Sequence, residues 1–213
     1  MVILLFCLLV ASNLFAQETL PAYRNPKLSV EQRVADLLAR MTLEEKVAQT
    51  HALWMQKSRI MDEQGNFSPE KAKSVLQHGL GQVTRPSEKK GPREMAVFTN
   101  AIQKYVLENT RLGIPVMFHE ECLHGHAAPK GTSYPQPIAL ASTWDVGLVE
   151  RVFAATAAEV RARGGQQALT PVLDLARDAR WGRFEEDVWR RPVSGRAFGR
   201  GVHQRLSRQR AGD

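Results

Sequence analysis

Cysteine is scarce in this sequence. The 213 residues include two cysteines, Cys7 and Cys122, and Cys7 lies in an N-terminal apolar stretch that we predict to be removed. Cys122 is then the only cysteine left, which excludes an internal disulfide. A glycine-rich phosphate loop is also missing, because "GTSYPQP" at residues 131–137 lacks the G-x-x-x-x-G-K-[ST] form.

Long hydrophobic runs are missing as well, since spanning a bilayer takes about 20 apolar residues. The N-terminal run "MVILLFCLLVASNLFA" is shorter and ends at the small residue Ala16. We interpret residues 1–16 as a secretory signal peptide, which predicts an exported protein, periplasmic or extracellular, with no membrane association after cleavage. A membrane anchor stays the alternative, because the run begins without Lys or Arg and Leu14 is not small.

Lysine is absent from the C-terminal segment, residues 187–213, which carries seven arginines against two aspartates. This Arg-rich tail has a net charge of +5, out of +7 for the whole chain. The basic character therefore belongs to the tail, and the preceding residues are nearly neutral.

Helix and strand patterns alternate along the rest of the chain. Two helices are predicted within residues 30–50, the second starting at a capping box of Thr42 and Glu45. Three more helices are predicted at residues 68–79, 92–113 and 145–165, and three strands at residues 80–86, 114–120 and 167–176. This alternation predicts a parallel α/β architecture. The strand at 114–120 begins as a continuous apolar run, which predicts burial on both faces.

Residues 119–126, "HEECLHGH", are dense in metal-type ligands. A helical H-E-x-x-H zinc site places its histidines four residues apart, whereas His119 and His124 are five apart and follow a strand. We therefore expect no metal and no cofactor. The pattern favours polar side chains at the C-terminal end of a parallel strand, where ligands bind in sheets and barrels of this class. A polar loop that binds nothing is the alternative.

A second charged stretch, "LDLARDARWGR", follows the last predicted strand. An arginine at a strand end can direct two N–H donors to neighbouring hydroxyls or to a carboxylate. An Arg–Asp network that only fixes the loop explains the same residues, and the spacing does not choose between the two.

Four strings together resemble the N-terminal domain of glycoside hydrolase family 3. They are "RVADLLARMTLEEKVAQ", "TRLGIPVMFHEECLHG", "SYPQPIALASTWD" and "LTPVLDLARDARWGRFEE". The resemblance implies that residues 17–186 form the incomplete N-terminal part of a (β/α)₈ TIM-type barrel. It also implies a β-glycoside or oligosaccharide as the binding partner.

The resemblance also implies roles for single residues. By the resemblance, Glu121 occupies the position of a carboxylate that holds sugar hydroxyls. Many family glucosidases have aspartate there, whereas members acting on xylosides have glutamate, as this chain does. Arg177 matches a sugar-contacting arginine, with Arg183 and His124 as supporting residues. Family chemistry is retaining hydrolysis by two carboxyl groups about 5–5.5 Å apart. Both are implied to lie beyond residue 213, so we expect this chain to be an inactive fragment of a β-xylosidase or β-glucosidase, or a sugar-binding remnant.

The residues after Glu186 do not continue the resemblance. Family members go on with a string similar to "TYGEDPYLV", whereas this chain reads "DVWRRPVSG". A permitted choice of codons for the observed residues, read with the first base dropped, gives "TYGEDPYLVGRLGVACINGFQG". We therefore predict a one-base insertion at the boundary between Glu186 and Asp187, and an out-of-frame tail over residues 187–213.

A genuine nucleic-acid-binding arm is the alternative explanation of the tail. Such arms neutralise phosphates with lysine as well as arginine and stack bases on aromatic side chains. This tail has no lysine and only Trp189 and Phe198 as aromatic residues. We expect no nucleic-acid partner, and the sequence leaves the oligomeric state open.

Overall fold

The computed structural model describes residues 20–172, 174 and 177–187. The predicted signal peptide and the tail after Asp187 lie outside the described residues. The chain divides into two compact units, residues 1–46 and 47–213. No helix in the described part of the chain is long and apolar enough to cross a membrane.

The first unit contains a 3₁₀ turn at Ala22–Arg24, helix α1 at Val30–Arg40 and the start of helix α2, Leu43–Gln49. A capping box begins α1, because the Ser29 hydroxyl accepts from the Gln32 N–H while the Gln32 side chain accepts from the Ser29 N–H. The capping box predicted at α2 is confirmed: the Thr42 N–H donates to Glu45 Oε2 at 2.9 Å and the Glu45 N–H to Thr42 Oγ1 at 3.3 Å.

The second unit alternates strands with helices, as the sequence predicts. Its elements are β1 (Ala52–Leu53), α3 (Pro69–Val75), β2 (Gln82–Thr84), α4 (Pro92–Asn109), β3 (Met117–Glu121), α5 (Pro137–Ala141), α6 (Val146–Ala162) and β4 (Gln167–Leu169). Short 3₁₀ turns lie at Lys57–Ile60 and Phe184–Glu186. The predicted caps form, because Ser68 accepts from the Lys71 N–H and Asp145 accepts from the Leu148 N–H at 2.8 Å.

The sheet is parallel throughout, with the strands in chain order β1-β2-β3-β4. The described residues thus hold four strands, so the prediction of three was wrong. The missed strand, β1, has two residues. A two-residue strand has no alternation that a sequence pattern could reveal.

One face of the sheet packs on the helices. Leu53, Val83 and Phe118, from three adjacent strands, join buried residues of α3 and α4 in the main hydrophobic cluster. The residues that alternate with them lie on the opposite face, since successive side chains of a strand point to opposite sides. That face is partly open: Met117 is 37% exposed and Leu169 is 39% exposed.

The prediction that this strand is buried on both faces fails at Met117 and holds at His119, which lies on the same face and is 7% exposed. Phe118 is fully buried and its neighbour Met117 is not. The helices pack on the face that carries Phe118, and burial on the other face varies along the strand. A continuous apolar run does not reveal this difference, because both faces of the strand carry apolar side chains.

Candidate functional site

The candidate site lies at the carboxyl edge of the sheet. Parallel strands end at the same edge, and the register pairs Glu121, the last residue of β3, with Leu169, the last residue of β4. The loops after β2, β3 and β4 therefore leave the sheet side by side. This is the edge at which open α/β sheets and barrels bind their ligands.

Glu121 is half-buried at the end of β3, on the face opposite the helix layer. Its backbone carbonyl accepts a hydrogen bond from the Ala127 N–H at 3.0 Å. The loop that follows β3 thus folds back onto the strand end from which Glu121 emerges. This hydrogen bond fixes the loop to the backbone of Glu121.

The loop after β3, residues 122–136, is internally cross-linked. Gly125 adopts φ +112° and lies so close to Thr132 that a Cβ there would be 2.0 Å from the Thr132 carbonyl oxygen. The Tyr134 N–H donates to the His124 carbonyl at 2.7 Å, and His124 Nδ1 lies 3.0 Å from the Tyr134 carbonyl oxygen. His124 therefore contributes to the shape of this loop, which fits a supporting role better than direct contact with a ligand.

His119 lies two residues before Glu121 on the same face of β3. Its Nδ1 is 2.6 Å from Gln82 Oε1, and the ring is buried. Burial lowers the pKa of His119 below its ordinary value of 6.5, while the nearby carboxyl groups of Glu120 and Glu121 oppose that shift. The ring is therefore neutral at pH 7 and bonded within the sheet. Within residues 20–172, 174 and 177–187, no cluster of three or more His, Cys, Asp or Glu side chains could hold a metal ion.

Glu120 is the residue that sequence reasoning missed. It is fully buried on the helix-facing side of β3, where Ser87 donates to it through its N–H at 2.9 Å and its hydroxyl at 2.7 Å. His126 Nε2 lies 3.5 Å from Glu120 Oε2, and the His126 side chain is also fully buried. The one available signal was an acidic residue at a position that alternation assigns to the core. Cys122 is buried too, and burial raises the pKa of its thiol, which therefore stays protonated.

The segment after β4 brings arginines to the same edge. Arg180 Nε lies 3.0 Å from both carboxyl oxygens of Asp178. Arg183 Nε donates to Glu186 at 2.8 Å. The hydrogen bond and attraction to Glu186, followed by attraction to Glu121 and Asp174, raise the pKa of Arg183 above its ordinary value. Arg183 therefore lies near enough to Glu121 for the Glu121 carboxylate to stabilise its charge.

Arg177 lies exposed in the same segment, eight residues beyond the last residue of β4. The described residues include no ion pair between Arg177 and Glu121. Arg177 thus follows the last strand of the sheet and Glu121 ends the neighbouring strand, and their joint role in sugar binding stays a prediction.

Asp187 ends the described segment and is only 1% exposed. Among the described residues neither of its carboxyl oxygens has a hydrogen-bond partner. Burial raises the pKa of Asp187, and the neighbouring Asp174 and Glu186 raise it further. A buried acid without a partner, set among other acids, destabilises the fold.

Comparison with known protein families identifies the family of this chain. The model of the glycosyl hydrolase family 3 N-terminal domain matches residues 42–205. The chain belongs to glycosyl hydrolase family 3. The resemblance identified in the sequence is thereby confirmed. The matched range continues past Glu186 into the segment predicted to be out of frame, and that frame change stays a prediction.

Three relatives show the extent of the similarity. The chain is 36% identical over 165 residues to a protein of Formosa agariphila named as a β-xylosidase, covering 77% of this chain and 22% of that one. It is 28% identical over 195 residues to a periplasmic β-glucosidase of Salmonella typhimurium, covering 87% and 22%. It also matches the structure of a β-glucosidase from Erythrobacter marinus with a TM-score of 0.77 and 33% identity, covering 88% and 24%.

The α/β fold with a parallel sheet is thus confirmed as similar to family 3 β-glucosidase structures. The chain spans less than a quarter of the length of each of these relatives.

Proposed function

We propose that this chain supplies the part of a family 3 β-glycosidase that binds the terminal sugar, with Glu121 and Arg177 as its binding side chains. The observation that carries the proposal is the position of Glu121. It stands half-buried at the carboxyl end of β3, between a cross-linked loop and an arginine-bearing segment. A fixed carboxylate facing an arginine is suited to hydrogen-bond the neighbouring hydroxyls of a pyranose ring.

Arg177 is the arginine that we assign to the sugar, because Arg180 and Arg183 bind carboxylates of their own loop. The sequence left two roles open for these arginines. In this proposal Arg180 and Arg183 fix the loop, and Arg177 binds the ligand. Arg183 acts as a support that keeps the segment near Glu121.

The whole protein's reaction is, in this proposal, retaining hydrolysis of terminal β-linked xylose or glucose. Named relatives include a β-xylosidase and β-glucosidases. The longer carboxylate of Glu121 favours a pentose, because it occupies space that a hexose hydroxymethyl group needs. The polypeptide of 213 residues alone, which in this account holds neither catalytic carboxyl group, binds sugar without cleaving it.

The experiment compares two expressed genes on aryl β-xyloside and aryl β-glucoside. We expect no turnover above a vector control from the 213-residue polypeptide. We expect turnover from the gene with one base removed after codon 186, and a lower kcat/KM when that gene also carries Glu121→Gln. Glu108→Gln, an exposed acid in α4, is the matched control. Turnover by the 213-residue polypeptide itself would overturn the proposal.

The proposed frame change has a structural argument besides the codons. Asp187 is the first residue after the proposed insertion, and it is a buried acid without a partner among the described residues. The restored frame places an uncharged threonine at position 187. Sequencing the locus tests the proposal, and an intact frame through codons 180–213 would overturn it and revive the nucleic-acid-binding arm.

Export is the last part of the proposal. Residues 1–16 have the composition of a secretory signal peptide, and one relative is named as a periplasmic enzyme. Cell fractionation tests it: the full chain should appear outside the cytoplasm in processed form, and a variant without residues 1–16 should remain inside. Equal distribution of the two forms would contradict export.

A further inference from the structure

The buried carboxyl group of Glu120 has no role in the proposed sugar contact. It belongs to the residue next to Glu121, which makes that contact. Glu120 is 0% exposed and stands on the helix-facing side of β3, in line with the core residue Phe118. Buried polar groups are kept in folded proteins when hydrogen bonds satisfy them. An apolar side chain would fill this position without needing such partners.

The partners of Glu120 come from two different loops. Ser87, which is 1% exposed, lies in the loop after β2 and donates to both carboxyl oxygens: its N–H to Oε1 at 2.9 Å and its hydroxyl to Oε2 at 2.7 Å. His126 lies in the loop after β3, with Nε2 3.5 Å from Glu120 Oε2. Neither ring nitrogen of His126 has a hydrogen-bond partner among the described residues, and Glu120 is the acid that lies next to the ring.

Both loops are also tied to the backbone beside Glu121. The Arg85 N–H, at the start of the loop after β2, donates to the His119 carbonyl at 2.7 Å. The Ala127 N–H, next to His126, donates to the Glu121 carbonyl at 3.0 Å. Glu120 therefore lies at the centre of a bridge that connects the loop after β2, the end of β3 and the loop after β3.

We propose that the Ser87–Glu120–His126 bridge positions Glu121 for the sugar, with Glu120 acting from the opposite face of the strand. The proposal rests on the sugar-binding function proposed above. Successive side chains of a strand point to opposite faces, so fixing Glu120 in the helix layer fixes the direction in which Glu121 leaves the sheet. Glu120 touches no sugar and is a positioning residue.

The test is a calorimetric titration of xylose into the full chain and into four variants: Ser87→Ala, Ser87→Thr, Glu121→Gln and the double variant Ser87→Ala/Glu121→Gln. Ser87→Ala removes the hydroxyl that donates to Glu120 and leaves the backbone donor in place. We expect an affinity loss of about tenfold, which corresponds to about 1.4 kcal/mol. Ser87→Thr keeps a hydroxyl and should restore the affinity.

The double variant separates positioning from a general structural role. If Ser87 and Glu120 act through Glu121, Ser87→Ala has no further effect once Glu121→Gln has removed the contact, so the two losses are not additive. Equal losses in both backgrounds would overturn the positioning role. Unchanged affinity in Ser87→Ala would overturn it as well.

Failure of the underlying function gives a different result. If the unchanged chain binds no xylose and no glucose, the proposed sugar-binding function is overturned and the positioning role falls with it. If Ser87→Ala melts far below the unchanged chain, Glu120→Gln replaces it, because an amide offers one acceptor oxygen where Ser87 presents two donors. Full affinity in folded Glu120→Gln would overturn the proposal.

Discussion

At the scale of single residues, Asp187 is poorly suited to its surroundings. It is buried, lacks a hydrogen-bond partner among the described residues and has Asp174 and Glu186 as acidic neighbours. Arg180 and Arg183 in the same segment form ion pairs with Asp178 and Glu186. Asp187 is also the first residue after the predicted change of reading frame.

Replacing this residue should therefore stabilise the fold. We expect Asp187→Thr to raise the free energy of unfolding by about 1–3 kcal/mol, the cost of an unsatisfied buried polar group. Because the pKa of Asp187 is raised above its ordinary value of 3.8 in the folded state, its unfavourable effect grows as pH rises from below 3.8. Thermal melts at pH 7 check this, with Asp178→Thr, at an exposed and ion-paired aspartate, as the control. A lower melting temperature for Asp187→Thr would contradict the account.

The contribution of His119 to folding stability should depend on pH in the opposite direction. Burial lowers the pKa of His119 below 6.5, so the unfolded chain binds the proton more tightly than the folded chain. Stability is then fully present above pH 6.5 and is lost as pH falls from 6.5 through the lower folded-state pKa. His119→Gln should reduce that loss between pH 7 and pH 5 in denaturant titrations, and His78→Gln, at an exposed histidine, should not. An unchanged slope for His119→Gln would refute this assignment.

At the scale of elements, strand β3 carries side chains on both faces of the sheet, and these side chains differ in burial. Phe118 points into the helix-facing core, and Met117 lies on the partly open face. We expect Phe118→Ala to lower the free energy of unfolding by about 3–5 kcal/mol, because it empties a packed site. Met117→Ala should cost less than about 1 kcal/mol. Urea unfolding of both variants measures the difference, and equal costs would mean that the two faces are equally buried.

The loop after β3 is the second element that shapes the proposed sugar-binding site. Gly125 has φ +112°, and an added Cβ would lie 2.0 Å from the Thr132 carbonyl oxygen. Gly125→Ala should therefore displace the loop beside Glu121, cost at least about 1–3 kcal/mol and weaken xylose binding. Gly182→Ala is the control, since nothing lies within 4 Å of a Cβ there. Full stability and full binding in Gly125→Ala would show that the loop shape does not matter.

These elements also show what the sequence could and could not predict. The starts of three helices were predictable because Thr42, Ser68 and Asp145 act locally, each on an N–H three residues ahead. The ends were not, since the helices stop at Val75, Asn109 and Ala162, three or four residues before the predicted positions. Strand β1 was not, because two residues carry no periodic signal. The bridge at Glu120 was not either, since its partner Ser87 lies 33 residues away.

At the scale of the whole molecule, the four parallel strands end at the edge that we propose binds the terminal sugar. The chain spans about a quarter of the relative's length. Glu121 and Arg177 emerge from the strand-end segments, while the helix layer holds the core. Binding and cleavage are, in this account, functions of different parts of the chain.

The most direct test of this account is calorimetric titration of xylose and glucose into the unchanged chain and into Glu121→Gln. We expect saturable binding of xylose by the unchanged chain, weaker binding of glucose, and at least a tenfold loss of xylose affinity in Glu121→Gln, which corresponds to about 1.4 kcal/mol. Glu108→Gln should bind as the unchanged chain does. No binding by the unchanged chain, or equal affinities in the chain and Glu121→Gln, would contradict the central claim.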